Sequence, residues 1–192
     1  TGCTAKSAQP AGARRRRPQT VHNACLAGNS LPKHDSEARR LSAIMFTDIV
    51  GYTALMAEDE DAGLRVRVRH RDLLGSVAQR YRGVVVDENG DELVLSFPSA
   101  VDAVNCALAA QEKLRDDQEL KLRIGIHLGD VIFEDGRVYG NGVNVASRVR
   151  PLAEPGGICV SDEVQRSVCN QSNIQTHSLG TRELKNVADP MN

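Results

Sequence analysis

The stretch VVVDENGDELVLSF, residues 84–97, places acidic side chains between two apolar runs. Four acids stand there within six positions: Asp87, Glu88, Asp91 and Glu92. The Asn89-Gly90 pair is a strong signal for a tight turn, so the sequence predicts a β-hairpin. Acids crowded at a hairpin turn repel one another, which indicates either a solvated turn or a site that needs negative charge.

Strands and helices alternate on both sides of this hairpin. LSAIMF, residues 41–46, reads as a buried strand, and residues 60–82 show apolar side chains at helical spacing. After a second helix, residues 120–133 read as two strands meeting near Gly129-Asp130, and residues 174–180 as a late strand. This order predicts an α+β fold of ferredoxin-like type, with a βαββαβ core and an antiparallel sheet carrying its helices on one face.

Composition divides the chain into two parts. Residues 1–37 lack apolar periodicity and are predicted to be a disordered basic tail or linker, whereas residues 38–192 form the folded domain. Residues 1–40 carry eight Lys/Arg against two Asp/Glu, which leaves the remainder at −7 within a total of −1. An acidic domain with 3% aromatic residues and no Trp is a poor nucleic-acid platform, so no nucleic-acid partner is expected.

The cysteines and the hydropathy pattern bear on the compartment. Five Cys residues occur without C-x-x-C spacing, which fits a reducing environment. No apolar run approaches the roughly 20 residues of a membrane helix, and the tail lacks the apolar stretch of a signal peptide. We therefore expect a cytoplasmic protein without a membrane span. Because the chain stops soon after a late strand begins, we also expect the natural protein to continue.

Two aspartates are candidates for a metal site. Asp48 ends a buried strand and Asp91 lies at the hairpin turn, and these strands are central neighbours in a ferredoxin-like sheet. Carboxylates that converge need a compensating charge, and Mg²⁺ prefers carboxylate oxygens together with substrate phosphates. The alternative is a pair of solvated turn acids, which is the interpretation adopted for Glu88 and Glu92.

Two further segments suit a phosphate-bearing ligand. The strand that ends at Asp48 turns directly into a helix, which would point backbone N–H groups at one spot as a phosphate cradle. The residues of this turn are Val50, Gly51, Tyr52 and Thr53. In VNVASR, Asn144 and Arg148 stand four residues apart, so they share one helix face and suit ribose and phosphate oxygens. A solvated polar stripe would have the same spacing.

Four blocks in this order resemble the class III nucleotidyl cyclases: FTDIVGYT, NGDELVLSF, RIGIHLGDV and VYGNGVNVASR. The resemblance covers about residues 38–188 and implies the class III cyclase fold. It also implies that a nucleoside triphosphate, either ATP or GTP, becomes a 3′,5′-cyclic monophosphate and pyrophosphate in intracellular signalling. The family builds its sites between two chains, so a head-to-tail homodimer is implied.

The resemblance also implies a role for each matched residue. Asp48 and Asp91 match the metal-binding aspartates, with the Ile49 carbonyl as a further ligand to two Mg²⁺ or Mn²⁺ ions. Asn144 matches the residue that orients the ribose, and Arg148 matches the one that stabilises charge on the α-phosphate. Lys185 resembles a late lysine that binds the terminal phosphates.

The positions that read the base depart from the family. Where adenylyl cyclases carry a lysine, this chain has Asp87, and where they carry Asp or Thr it has Arg137. The two residues could exchange roles on adenine, or they could read guanine, since a carboxylate accepts from its N1–H and N2–H₂ edge. A mutual salt bridge between them would instead fill the pocket and favour a weak or inactive cyclase-homology module in dimerisation or regulation. NGDEL also echoes the hairpin of diguanylate cyclases, which the Asn144 helix argues against.

Overall fold

The computed structural model describes residues 38–181. The predicted basic tail, residues 1–37, lies outside the described residues, and so does Lys185. Within this range no helix is long and apolar enough to cross a membrane.

Six strands, five α-helices and one short 3₁₀ turn follow one another along residues 38–181. In chain order they are β1 (Ala38–Ile49), α1 (Tyr52–Glu58), α2 (Glu60–Arg80), β2 (Val84–Asn89), β3 (Glu92–Phe97), α3 (Ala100–Lys113), β4 (Leu122–Glu134), β5 (Arg137–Tyr139), α4 (Asn141–Val149), the 3₁₀ turn (Arg150–Leu152), β6 (Ile158–Val160) and α5 (Asp162–Val168).

The strands form one sheet in the order β2-β3-β1-β4-β5, and β6 pairs with β4. β1 is central and runs antiparallel to both β3 and β4. The succession β1, α2, β2, β3, α3, β4 is the βαββαβ core that the sequence predicts. The predicted antiparallel sheet is confirmed for β1 to β5, and β6 adds a parallel pairing with β4.

Helices cover both faces of the sheet, which corrects the expectation of helices on one face. Successive residues of β1 point to opposite sides, so Met45 packs into the large core with α2 and α3, whereas Ile44 packs on the other side. That second side is covered by α4, whose Ala146 contacts the same cluster. α4 therefore lies on the sheet face that also carries the Asp48 side chain, two residues beyond Phe46.

Three local predictions are corrected by strand pairing. Residues 120–133 do not form two strands, because β4 pairs with β1 continuously from Leu122 to Phe133, through Gly129. The hairpin turn is Gly90-Asp91 rather than Asn89-Gly90, and Gly90 takes the positive φ of 62°. Residues 174–180 form no strand, since they find no partner within the described part of the chain.

Candidate functional site

Asp48 and Asp91 converge where β1 ends and β3 begins. The backbone N–H of Ile49 donates to Asp91 Oδ2 at 3.1 Å, which places the turn acid directly against the residue that follows Asp48. Partial burial raises the pKa of Asp91, and the charges of Asp48 and Glu92 raise it further, although the hydrogen bond from Ile49 lowers it. The Asp91 carboxylate thus lies close enough to Asp48 for the charge of Asp48 to act on it.

Asp48 is buried, with 5% of its surface exposed, and is held by an arginine that the sequence did not single out. Arg123 lies opposite Asp48 in the β1–β4 register. Its Nε donates to Oδ1 at 3.0 Å and its Nη2 to Oδ2 at 2.6 Å. The hydrogen bonds to Asp48 raise the pKa of Arg123. The sequence feature that could have identified Arg123 is its position as an arginine on the otherwise apolar strand LRIGI.

A second arginine lies on the other side of the same carboxylate. Arg150 Nη1 is 3.7 Å from Asp48 Oδ2, and it donates a hydrogen bond to Glu92 Oε1. The Arg150 side chain is 14% exposed and that of Glu92 is 34% exposed. The expectation of a solvated turn acid is therefore wrong for Glu92, which forms an ion pair with a largely buried cation. Glu88 is exposed.

The turn after β1 provides part of the predicted phosphate cradle. Gly51 adopts φ 75° and occupies the N-cap position of α1. No side chain caps this helix. The first-turn N–H groups of a helix have no carbonyl partner within it, which leaves those of Tyr52 and Thr53 available. The Val50 N–H, however, donates to the Lys121 carbonyl at 2.9 Å, so this residue is not a free donor.

The predicted ribose and phosphate residues on α4 are exposed in the single chain. Asn144 and Arg148 are exposed, and the buried side of α4 consists of Gly142, Val145, Ala146 and Val149. Among residues 38–181, no ion pair joins Arg148 to Asp48 or Asp91. Within one chain, then, Asn144 and Arg148 are exposed and Arg148 forms no ion pair with the acids in the described range.

The two base-reading candidates do not block one another. Asp87 and Arg137 are both exposed, and no ion pair between them occurs in the described range. The Asp87 carboxylate accepts the N–H of Glu88 at 2.9 Å. The salt bridge that would have filled the pocket is therefore not formed in this chain.

A buried histidine packs against the same strand end. His70 on α2 is 1% exposed, and its Nε2 lies 2.9 Å from Thr47 Oγ1, the residue before Asp48. Burial lowers the pKa of His70 to about 4, although the charge of Asp48 acts in the opposite direction. The folded chain thus keeps this imidazole neutral under conditions in which an exposed histidine is charged.

Stability is expected to fall as the pH drops from about 6.5 towards 4. The unfolded chain binds a proton at His70 below about pH 6.5, whereas the folded chain does not until about pH 4. This residue therefore removes about 3 kcal/mol from the free energy of unfolding across that window. Urea denaturation at several pH values measures this change in the free energy of unfolding. We expect the free energy of unfolding to decline less steeply in His70→Gln. Part of the decline that remains is due to His127, because burial also lowers the pKa of His127. An equally steep decline in the variant would contradict the assignment.

Comparison with known proteins places the chain in a family. The sequence model of the family described as "Adenylate and Guanylate cyclase catalytic domain" matches residues 35–191. The chain is 37% identical over 165 residues to putative adenylate cyclase 3 of Rhizobium meliloti (strain 1021), an alignment that covers 82% of this chain and 28% of that protein. It is 34% identical over 143 residues to an adenylate cyclase of Streptomyces coelicolor, covering 71% of this chain and 37% of that protein.

Solved structures share the fold. The adenylate/guanylate cyclase/hydrolase from Silicibacter pomeroyi superposes with a TM-score of 0.75 at 34% identity, covering 80% of this chain and 94% of that one. The adenylyl cyclase CyaB from P. aeruginosa has a TM-score of 0.71 at 24% identity, covering 80% and 92%, which shows the fold alone.

The chain spans about a quarter to two-fifths of the length of the two curated relatives described above. The matched family region nonetheless includes every described strand and helix. The fold, the converging aspartates and these matches agree, and the chain belongs to the adenylate and guanylate cyclase catalytic-domain family.

Proposed function

We propose that this chain is the catalytic domain of a nucleotidyl cyclase that converts ATP, or alternatively GTP, to a 3′,5′-cyclic monophosphate and pyrophosphate in intracellular signalling. The observation that carries the proposal is the convergence of Asp48 and Asp91, fixed by the hydrogen bond from the Ile49 N–H to Asp91. A buried carboxylate beside a second one needs compensating positive charge, which Arg123 and Arg150 supply at Asp48 and to which a divalent cation would add.

The donor set suits Mg²⁺ or Mn²⁺. Within residues 38–181, no group of three or more His, Cys, Asp or Glu side chains forms a complete cage. Mg²⁺ is commonly held by one or two carboxylates together with substrate phosphates, which is what Asp48, Asp91 and the Ile49 carbonyl offer. Two bound cations would lower the pKa of the ribose 3′-hydroxyl and neutralise charge on the triphosphate.

The protein's own residues then bind and orient the substrate. Arg123, 35% exposed, could turn from Asp48 towards the phosphates, and the first turn of α1, after the Gly51 N-cap, offers N–H donors at Tyr52 and Thr53. Lys185 is a further proposed phosphate ligand. Asn144 would orient the ribose, and Arg148 would stabilise charge on the α-phosphate in the transition state.

A head-to-tail homodimer would bring these parts together. The exposed Asn144 and Arg148 lie on α4, with no ion pair from Arg148 to Asp48 or Asp91 in residues 38–181. A second copy could place its α4 face over the acids of the first, and the reverse, which would give two equivalent sites. Asp87 and Arg137, both exposed and not paired with each other in the described range, would contact the base.

Purified protein incubated with ATP and with GTP, in Mg²⁺ and in Mn²⁺, tests the proposal when products are identified by mass spectrometry. We expect a cyclic monophosphate and pyrophosphate from at least one nucleotide, and none from Asp48→Asn. The nucleotide that reacts decides between adenine and guanine recognition. Cyclic dimeric guanylate as the sole product would overturn the proposal, and the absence of any product would leave a dimerisation or relay module.

A further inference from the structure

The Glu92–Arg150 ion pair lies against Asp48 but has no part in the roles described above. We infer that Arg150 is a positioning residue of the metal site: a resident guanidinium, anchored by Glu92, that sets how tightly Asp48 binds a divalent cation. The inference rests on the proposed function, because it assigns Asp48 to a metal. It concerns affinity for the cation, which can be measured without turnover.

Arg150 is fixed in place by its backbone. It begins the 3₁₀ turn after α4, directly over Gly125 of β4. A Cβ on Gly125 would lie 2.2 Å from the Arg150 backbone nitrogen, so the two segments are in direct contact. Its side chain is 14% exposed, so most of the guanidinium and its stem are enclosed by this packing.

The two arginines at Asp48 therefore differ in kind. Arg123 is 35% exposed and donates one hydrogen bond to each Asp48 oxygen, which leaves the remaining lone pairs of that carboxylate for a cation. Arg150 remains, with Nη1 3.7 Å from Asp48 Oδ2. Its Nε is buried and has no hydrogen-bond partner within residues 38–181, so Glu92 and Asp48 are the carboxylates that balance its charge.

Glu92 and Arg150 together are neutral, and each alone is a charge beside the metal site. Arg150→Gln would leave the Glu92 carboxylate uncompensated and strengthen cation binding. Glu92→Gln would leave the guanidinium uncompensated and weaken it. A charge within about 4–6 Å shifts proton affinity by about tenfold or more, and a divalent cation responds to the same field.

Mn²⁺ titration of the full chain without nucleotide, followed by electron paramagnetic resonance, tests this. We expect about tenfold tighter binding in Arg150→Gln, about tenfold weaker binding in Glu92→Gln, and a value near wild type in the double variant. Arg115→Gln, which removes a cation from an exposed pair with Glu112, is the matched control and should bind as wild type does. Thermal unfolding of each variant reports its stability separately.

The sign of the two shifts separates an electrostatic role from a structural one. If the Glu92–Arg150 pair only stabilised the fold, both single variants would bind Mn²⁺ more weakly. That result would overturn the inference. Wild-type binding with every variant within twofold would overturn it while leaving the proposed function in place. If the wild type bound no Mn²⁺ and Asp48→Asn behaved identically, both the metal assignment and this inference would fail.

Discussion

Asp91→Asn is expected to lower the rate of nucleoside triphosphate cyclisation by about three orders of magnitude and to leave the fold intact. The amide keeps an oxygen that can accept the Ile49 N–H, so the hairpin stays in register. It loses the negative charge that would hold a cation, and the lost transition-state stabilisation is worth about 4 kcal/mol. Initial rates in Mn²⁺, with circular dichroism as a check of the fold, measure it. A rate within tenfold of wild type would remove Asp91 from the site.

The same variant tests the two-chain arrangement. Arg148→Ala is also expected to be inactive alone, because it removes the proposed transition-state cation. If the site is built from two copies, mixing Asp91→Asn with Arg148→Ala produces dimers in which one of the two sites is intact. We expect the mixture to recover activity well above that of either variant. A mixture no more active than its components would place both residues in a single chain's site.

Gly125→Ala is expected to cause the largest loss of stability among single methyl additions to the sheet. A Cβ there would lie 2.2 Å from the backbone nitrogen of Arg150 and 2.7 Å from its Cβ, and backbone cannot move aside as a flexible side chain can. We expect the free energy of unfolding to fall by about 3 kcal/mol or more. Because the displaced turn carries Arg150, contact with Asp48 should be lost as well. Urea denaturation measures the change.

Gly75→Ala is the matched control for this substitution. Gly75 lies inside α2, and a Cβ built on it meets nothing within 4 Å. Alanine is the better helix former by about 0.5–1 kcal/mol, so this variant should be more stable than wild type. Equal effects of the two alanines would show that the β4–turn contact tolerates the added methyl group.

Local sequence signals predicted the main elements because each depends on neighbours in the chain. Apolar runs and helical spacing gave β1, α2, α3 and the hairpin, and their order gave the ferredoxin-like core. The prediction of a late strand at residues 174–180 was wrong, because a strand forms only beside a partner strand that shares its hydrogen bonds. The single long β4 was missed for the converse reason: pairing with β1 carries it through Gly129.

The candidate site divides in the same way. That Asp48 ends a buried strand and that Asp91 lies at a turn are statements about adjacent residues, and sequence is enough for them. Arg123 could be seen only as an arginine on an apolar strand, because its partner lies 75 residues away in the β1–β4 register. Glu92 looked like a solvated turn acid until the turn after α4 brought Arg150 to it, across 58 residues.

By itself, then, the sequence determined where most of the strands and helices lie, which acids stand at their ends, and which family the chain resembles. Only the tertiary structure decided that two guanidinium groups flank Asp48, that α4 covers the sheet face opposite α2 and α3, and that Arg148 forms no ion pair with Asp48 or Asp91 within residues 38–181. Propensity and periodicity act over a few residues, whereas these pairings depend on strand register and on the packing of the whole core.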